Sequence, residues 1–477
     1  AYFEYLYFKK LDQENSNYYS LRNTDSRSAA FYANATYSFN GKYVVNGTVR
    51  YEGSNQMGRT TKARWMPTWN VSGAWNVHEE SFFPKLKPLS SLTFRVSYSL
   101  TGTPPDASYC SALTKLSMNT PYRPTTTDKE LGFVVAALGN DELTYEKKNE
   151  FNFGVDAGFF NNRLNVTFDV YQRRNFDEIA PAVHQLYGKA YANVGSMKSW
   201  GEELSISSTN VKTNDFSWQT SLIYSHNRTK ITDLYNQGRV IDLVQGNGFA
   251  KQGYPARALF SIPFVGINEK GNPVCINEKG QATVGDLNFQ ERNNTDYLIY
   301  EGSTDPIYNG SLGNTFNYKG FHLNLFLTYA FGNVVRLDPV FKAKYNDLTS
   351  MNHDFKNRWM QPGDENVTNV PGVVSRYEYE QNRTLLSTAY NAYNYTSVRT
   401  AKGDFIRLKE ISLAYDFPHR WLENSPVNNI SLKLQATNLM LLYADKKLNG
   451  QDPEFMNAGG VASPMPKQFT LTLKLGL

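Results

Sequence analysis

The residue types that most often perform chemistry are present in this chain, but not in working arrangements. Six histidines, His78, His184, His226, His322, His353 and His419, are scattered without the close spacing of a zinc site. Glu202 and Glu203 are adjacent, so on a strand they point to opposite faces and cannot share an acid–base task. Cys110 and the serines have no histidine near them in a nucleophile motif, and no glycine-rich phosphate loop is found. Cys110 and Cys275 are too few for a disulfide scaffold, and their spacing alone gives no reason to join them. The expectation is no enzyme, no metal site and no cofactor. A different chemistry sits between about 332 and 402, where Trp359, Tyr377, Tyr379, Tyr390, Tyr393 and Tyr395 lie among Asn, Arg and Asp. Flat rings beside hydrogen-bond donors suit stacking on sugar rings or gripping a peptide backbone. The same rings can equally pack against neighbouring loops or a partner protein. Trp359, Tyr377, Tyr379, Tyr390 and Tyr393 form the candidate ligand-contacting set.

Composition limits what can position them. The 477 residues carry a net charge of +5, are 14% aromatic and only 19% charged, and have a mean hydropathy of −0.51. Disordered chains are poor in aromatics and rich in charge, so this chain folds. No window approaches the roughly 20 apolar residues of a spanning helix, and no basic block gives a footprint for nucleic acid. A β-rich soluble protein or a membrane β-barrel survives these tests.

Period-two alternation recurs along the chain. Phe31, Ala33, Ala35, Tyr37 and Phe39 alternate with polar partners, and after Asn40-Gly41-Lys42 the pattern resumes at Tyr43, Val45, Gly47, Val49 and Tyr51. Further ladders begin at Trp69 and Leu92, hairpins turn at Asn161-Asn162-Arg163 and Lys319-Gly320, and Phe469, Leu471, Leu473, Leu475 and Leu477 close the series. The polar partners are mostly Asn, Ser, Thr and Gly, as expected of a wet lumen behind a lipid-facing wall.

About 14 strands of about 11 residues fit the pattern. Short links fall near 40–42, 78–91, 160–163, 210–215, 318–321 and 417–428. Long links fall between them, near 11–29, 53–65, 102–146, 174–198, 230–309, 332–402 and 440–466. Alternating short and long connections are the habit of outer-membrane barrels, with periplasmic turns at one end and extracellular loops at the other. Tyr2, Tyr43, Tyr51, Trp65, Trp69, Tyr145 and Tyr318, near strand ends, are expected in the interfacial girdles. The fold class is thus all-β, a transmembrane antiparallel β-barrel.

Several segments resemble the SusC/RagA family of TonB-dependent outer-membrane transporters of Bacteroidetes. They are FNFGVDAGFFNNRLNVTFDVY after Glu150, NVGSMKSWGEELSI from Asn193 and FSWQTSLIYSHNRTKI from Phe216. GKYVVNGTVRYEGSNQMG, FRVSYSLTGTPPD, NRWMQPGDEN, GDFIRLKEISLAYDFP, LKLQATNLMLLY and QDPEF extend the resemblance over nearly the whole chain, in family order. It implies a barrel of about 22 strands, of which residues 1–477 would be the C-terminal portion, with the plug domain and Ton box outside this chain. It also implies active nutrient import, energised through TonB and assisted by a SusD-like surface lipoprotein. The cargo would be an oligosaccharide or glycan, or else an oligopeptide. Family members often carry an Asp-x-Asn-x-Asp-Gly-like stretch; here the region holds Asp286, Glu291, Asn293 and Asp296, and Tyr297 stands where the turn glycine belongs, which leaves Ca²⁺ binding open. The chain ends in Leu477 rather than the aromatic common in the family. The competing readings are a complete 14-stranded passive channel, an outer-membrane hydrolase and a secreted β-sandwich.

Overall fold

In a bilayer each unpaired backbone N–H or C=O costs several kcal/mol, so strands that cross it must be hydrogen-bonded to neighbours on both sides. The computed structural model describes residues 27–476 apart from 56, 59, 84–87, 105–114, 120–131, 138–139, 141, 185–187, 344, 346–350, 424–426 and 457–465. The expected first strand, the 11–29 link except its last three residues, Tyr2 and Cys110 lie outside the described residues.

Thirteen strands form one antiparallel sheet in strict chain order. They are β1 (Ser28–Phe39), β2 (Tyr43–Ser54), β3 (Trp65–Asn76), β4 (Leu89–Thr103), β5 (Glu146–Phe159), β6 (Leu164–His184) and β7 (Gly188–Lys212), followed by β8 (Phe216–Asp233), β9 (Tyr308–Tyr318), β10 (Phe321–Phe331), β11 (Phe405–Asp416), β12 (Asn429–Ala444) and β13 (Gln468–Gly476). Among the described residues β1 and β13 each have a partner on one side only.

Register and polarity agree. Phe31 pairs with Tyr51 and Ala33 with Val49, Val49 continues to Trp69, and Trp69 to Leu100, so the apolar positions of successive strands share one face. Val45 at 53% exposure, Phe469 at 71% and Leu471 at 69% are tolerable only where that face meets lipid. The other face is wired by polar side chains. Arg95 on β4 bonds Asp156 on β5 at 2.6 Å and Asp169 on β6 at 3.1 Å, and Asn46 donates to Thr36 while Asn34 donates to Thr48. These cross-strand pairs hold three-strand neighbourhoods in register where no packed core exists.

The short connections match the sequence pattern because their residues tolerate the left-handed backbone. Asn40 and Gly41, in the three-residue turn between the paired Phe39 and Tyr43, have φ of 50° and 71°. Lys319 and Gly320, between the paired Tyr318 and Phe321, have φ of 45° and 86°, the geometry of a two-residue hairpin. At the β5–β6 turn Phe160, Asn161 and Asn162 are all left-handed, and Ser90 accepts from the Asn161 and Asn162 amides to hold them.

Two expectations are corrected. The 174–198 segment is not an open loop: β6 and β7 stay paired up to His184 and Gly188, because each extended strand supplies the other's backbone partners beyond the membrane. Tyr145 is not a girdle residue; it is 2% exposed and packs with Met57 and Met66 under the loops. Tyr43, Tyr51 and Tyr318 do stand exposed at strand ends. Tyr51 stacks on Trp65 at 5.0 Å, Trp69 meets Tyr98 edge-on, and Tyr43 donates to Glu80 at 2.7 Å.

Above the lipid-facing band, β6 is kinked at Asp177, whose φ is 58° and whose carboxylate pairs with Lys147 at 2.7 Å. Glu178 follows, beside Glu146, whose Oε1 accepts from the Ile179 amide. Burial first, and the Glu146 charge second, push the Glu178 carboxyl up to about 7 from its ordinary 4.5, against a hydrogen bond from Asn175. The protonated form therefore favours the fold: the contribution is complete below pH 4.5 and lost as pH rises through about 7. Amide exchange along residues 175–196, corrected for intrinsic rates, is expected to be faster at pH 8 than at pH 5, and Glu178→Gln is expected to remove the difference.

Candidate functional site

The buried hydrophobic clusters of this molecule lie mainly in its long loops. The segments 234–307 and 332–404, with 445–456, fold together as a crown at one end of the sheet. One cluster gathers Val240, Val244, Phe260, Ile262 and Cys275, and another Val340, Phe341, Leu386, Ala389 and Tyr393. Helix α1 (Val240–Val244) belongs to the first segment, and α2 (Arg376–Gln381) and α3 (Arg383–Asn394) to the second. Burial pushes the Cys275 thiol up to about 12, so it acts as a small hydrophobe and not as a nucleophile.

Buried polar side chains bind the segments to one another. Arg336, on the short strand Val334–Arg336, donates to the carbonyls of Phe260 at 2.7 Å, Thr396 at 2.8 Å and Val244 at 3.2 Å. Its guanidinium meets carbonyls and no carboxylate hydrogen bond, and burial pulls it down to about 10. Asn394, at the end of α3, accepts from the Val340 and Phe341 amides and donates to the Phe341 carbonyl. Arg399 donates to Asp354 and to the Asp338 carbonyl, both at 2.7 Å, and Asn449 reaches the same Asp354 from the third segment. Arg407 on β11 and Asp452 are both nearly fully buried and meet at 2.6 Å, which ties that third segment to the sheet.

Between the segments lies a cleft of ≈ 630 Å³ bordered by Asn247, Asp338, Lys342, Tyr390, Asn391 and Tyr395. A second, of ≈ 540 Å³, shares Leu337, Asp338, Pro339 and Lys342 with it and reaches Asp354 and Lys447. The larger cleft offers amides, the Ser387 hydroxyl, the Asp338 carboxylate, the Lys342 ammonium, the Arg336 guanidinium and two phenols, and the second adds His353, Asp354 and Lys447. These groups can hydrogen-bond and stack on a ligand.

The five aromatic candidates are not brought to one surface. Tyr393 is 1% exposed, and its hydroxyl donates to the Asn369 carbonyl at 2.8 Å. Tyr390 stacks on Phe341 at 4.6 Å while bordering the larger cleft. Tyr379 is half-buried against Tyr390. The half-buried indole of Trp359 donates to Glu365 at 3.0 Å and packs so tightly on Gly271 and Gly372 that a Cβ at either would collide with the ring. Tyr377, on α2, is 76% exposed. The anchors Arg336, Asn394, Arg399 and the Arg407–Asp452 pair escaped the sequence reading, because loops have no periodicity to mark an inward-facing position.

The acidic stretch is committed to its own loop. Glu291 accepts from the amides of Arg292, Asn293 and Asn294, and Asp296 pairs with Lys251 at 3.0 Å. Among the described residues no group of three or more His, Cys, Asp or Glu side chains is placed to hold a metal ion. The described histidines serve separate local contacts: His322 bridges Asn317 and Asp416, and His226 stacks on Tyr308 and meets Trp200 edge-on.

An inside-out sheet, a polar lumen wall and a loop crown carrying the compact core are now in place, and residues 2–338 match the TonB dependent receptor-like β-barrel family. The chain belongs to that family. It is therefore an outer-membrane β-barrel protein, from a family of transporters and receptors rather than enzymes. Among curated relatives, TonB-dependent receptor P39 of Formosa agariphila is 24% identical across 96% of this chain and 46% of its own length. TonB-dependent receptor SusC of Bacteroides thetaiotaomicron is 24% identical across 96% and 44%. The solved RagAB peptide transporter superposes with a TM-score of 0.75 at 23% identity, covering 94% of this chain and 47% of that one. The chain thus spans under half the length of these relatives.

Arg336→Met would keep the apolar stem and orphan three buried carbonyls, costing the crown roughly 3–5 kcal/mol. Limited proteolysis is expected to open the 234–307 and 332–404 segments in this variant, while the barrel strands stay protected. Equal protease resistance in both segments would show that Arg336 is not their common anchor.

Proposed function

We propose that residues 1–477 are the C-terminal portion of the barrel of an active outer-membrane importer, whose plug and Ton box lie in sequence upstream of this chain. The observation that carries the reading is the combination of a polar lumen wall with a crown of three co-folded loops. Such a crown can hold cargo at the mouth of the barrel, which an open pore does not need. Support also comes from the family match and from relatives of which this chain covers under half the length.

The cargo is a glycan or an oligopeptide, captured with a SusD-like lipoprotein and moved by work delivered through TonB. This chain supplies wall and loops and performs no covalent step. We assign first contact to Tyr377, with Trp359 and Tyr379 behind it, and the inner contact to Tyr390 at the cleft edge. Tyr393 holds that edge from beneath. Amides, phenols and the Ser387 hydroxyl at the larger cleft suit a hydroxyl-rich cargo, so the glycan comes first and the oligopeptide second.

The test is uptake by cells expressing the full-length protein from its own operon. Accumulation of labelled oligosaccharide is expected to vanish when TonB is depleted, and a surface lipoprotein is expected to co-purify. Uptake that survives TonB depletion would favour the passive channel, and uptake of oligopeptides alone would overturn the glycan assignment. Tyr377→Ala is expected to weaken cargo binding several-fold, consistent with losing one stacking contact of about 1 kcal/mol; unchanged affinity would remove Tyr377 from the site.

A further inference from the structure

The lipid-facing side of the sheet carries one feature that neither import nor barrel folding calls for. On β6, β7 and β8 the residues Arg174, Lys198 and Lys230 are direct cross-strand neighbours: Arg174 pairs with Lys198 and Lys198 with Lys230. Arg228 stands one step below Lys230, opposite Trp200. All four cations are exposed, and none has an ion-pair or hydrogen-bond partner among the described residues.

Their face is fixed by register. Descending from Arg174, the same side of β6 carries Gln172, Val170, Phe168, Val166 and Leu164, opposite Trp200, Glu202, Leu204, Ile206 and Ser208 on β7. Leu222, Tyr224 and His226 continue that side on β8. Arg174 lies about ten residues above the short turn, a climb of roughly 25 Å along the barrel axis at the usual tilt, which is the height of the apolar band. The cations therefore lie on the outer wall at the level of the extracellular headgroups. The same cross-strand row runs on through Asn149, Leu100, Trp69 and Val49 with no further cation.

Like charges set directly opposite one another on a sheet repel. Two consecutive like-charged pairs, left without partners among the described residues, call for an anion from outside. Nearby acids do not supply it. Asp177 is taken by Lys147, Asp233 lies beyond the row opposite Ser196, and Glu202 lies below it between Val170 and His226. The anion must also be amphipathic, because beneath the mixed rows Gln172–Trp200–Arg228 and Val170–Glu202–His226 the face turns apolar, with Phe168–Leu204–Tyr224 and then Val166–Ile206–Leu222. At the top of that descent Trp200 is 45% exposed, and His226 meets it edge-on at 4.7 Å and stacks on Tyr308 at 4.8 Å. A second copy of the chain docking about a two-fold axis here would set this row of cations against itself.

We propose that Arg174, Lys198, Arg228 and Lys230 form a binding site for a phosphorylated glycolipid of the outer leaflet. The phosphate sits across the cation row, where guanidinium and ammonium donors make charge-assisted hydrogen bonds. The sugar rests on Trp200, and the acyl chains run down over Val170, Phe168, Leu204 and Tyr224. Such a lipid pins the β6–β8 wall, from which the tall β6–β7 hairpin and the first crown segment rise.

The experiment is native mass spectrometry of the full-length protein with any co-purifying subunit, delipidated in mild detergent. It is titrated with bis-phosphorylated lipid A, with its dephosphorylated form and with inorganic phosphate. One tightly bound lipid A is expected, with affinity falling roughly tenfold or more in the triple variant Arg174→Gln, Lys198→Gln, Lys230→Gln. Loss of the phosphates from the lipid should weaken binding similarly, and so should raising salt from about 0.05 to 0.5 M. Equal binding by the triple variant or of dephosphorylated lipid would overturn the proposal. Inorganic phosphate competing as well as lipid A would reduce the site to an anion site without lipid. A concentration-dependent dimer abolished by the triple variant would give the face to a second copy. Heat-modifiable gel mobility reports folding; if the triple variant fails to fold, single Lys198→Gln and the wild-type comparison of the two lipids decide the matter.

Discussion

The backbone hydrogen-bond ladder is the constraint on which the rest of this molecule depends. Within a bilayer no water stands in for a missing partner, so the chain adopts the one extended arrangement that pairs each strand with both neighbours. Strict up-and-down order and antiparallel pairing across thirteen strands, interrupted by a few bulges, follow from it. Side-chain packing is secondary in the wall, since lipid covers one face and the other is polar. The wall accordingly has few fully buried side chains, and its lumen side is stitched by polar pairs such as Arg95 with Asp156 and Asp169.

Freed from that constraint, the loops behave like a small globular protein built from separate pieces of sequence. Their apolar clusters provide cohesion, while Arg336, Asn394 and Arg399 meet backbone groups that irregular segments would otherwise leave unpaired. A buried guanidinium is an expensive connector, yet it satisfies three carbonyls at once, two in the first segment and one in its own, which no hydrophobic side chain does. The clefts at Asp338 and Lys342 exist because these segments are held together without filling the space between them. Position and chemistry are thus divided: the wall fixes where the loops begin, and the crown fixes what they present.

The outer wall shows the same logic from the lipid side. Low on β6 to β8 the face is Val, Ile, Leu, Phe and Tyr; above Glu202 and His226 it changes to Trp and to basic residues on the three adjacent strands. The row of cations there, unpaired among the described residues, is legible only through register, because Arg174, Lys198 and Lys230 are scattered in sequence and neighbours in the sheet.

Read from sequence alone, the wall was largely legible. Period-two alternation located the strands, since a wall with lipid on one face and water on the other imposes that period on every crossing. The Asn40-Gly41 and Lys319-Gly320 turns announced their hairpins, because few residues accept a left-handed backbone. The tall β6–β7 hairpin was missed, since above the membrane pairing persists without the polarity rule that betrays a strand. The crown was decided only in three dimensions. Nothing in the spacing of Tyr390, Tyr393 and Tyr377 says that the first borders a cleft, the second is buried and the third is exposed. Nor does it say that Arg336 joins segments some 60 to 90 residues away. Bilayer physics acts locally on each strand and so writes itself into the sequence, whereas the loops are arranged by contacts between distant segments, which leave no period to read.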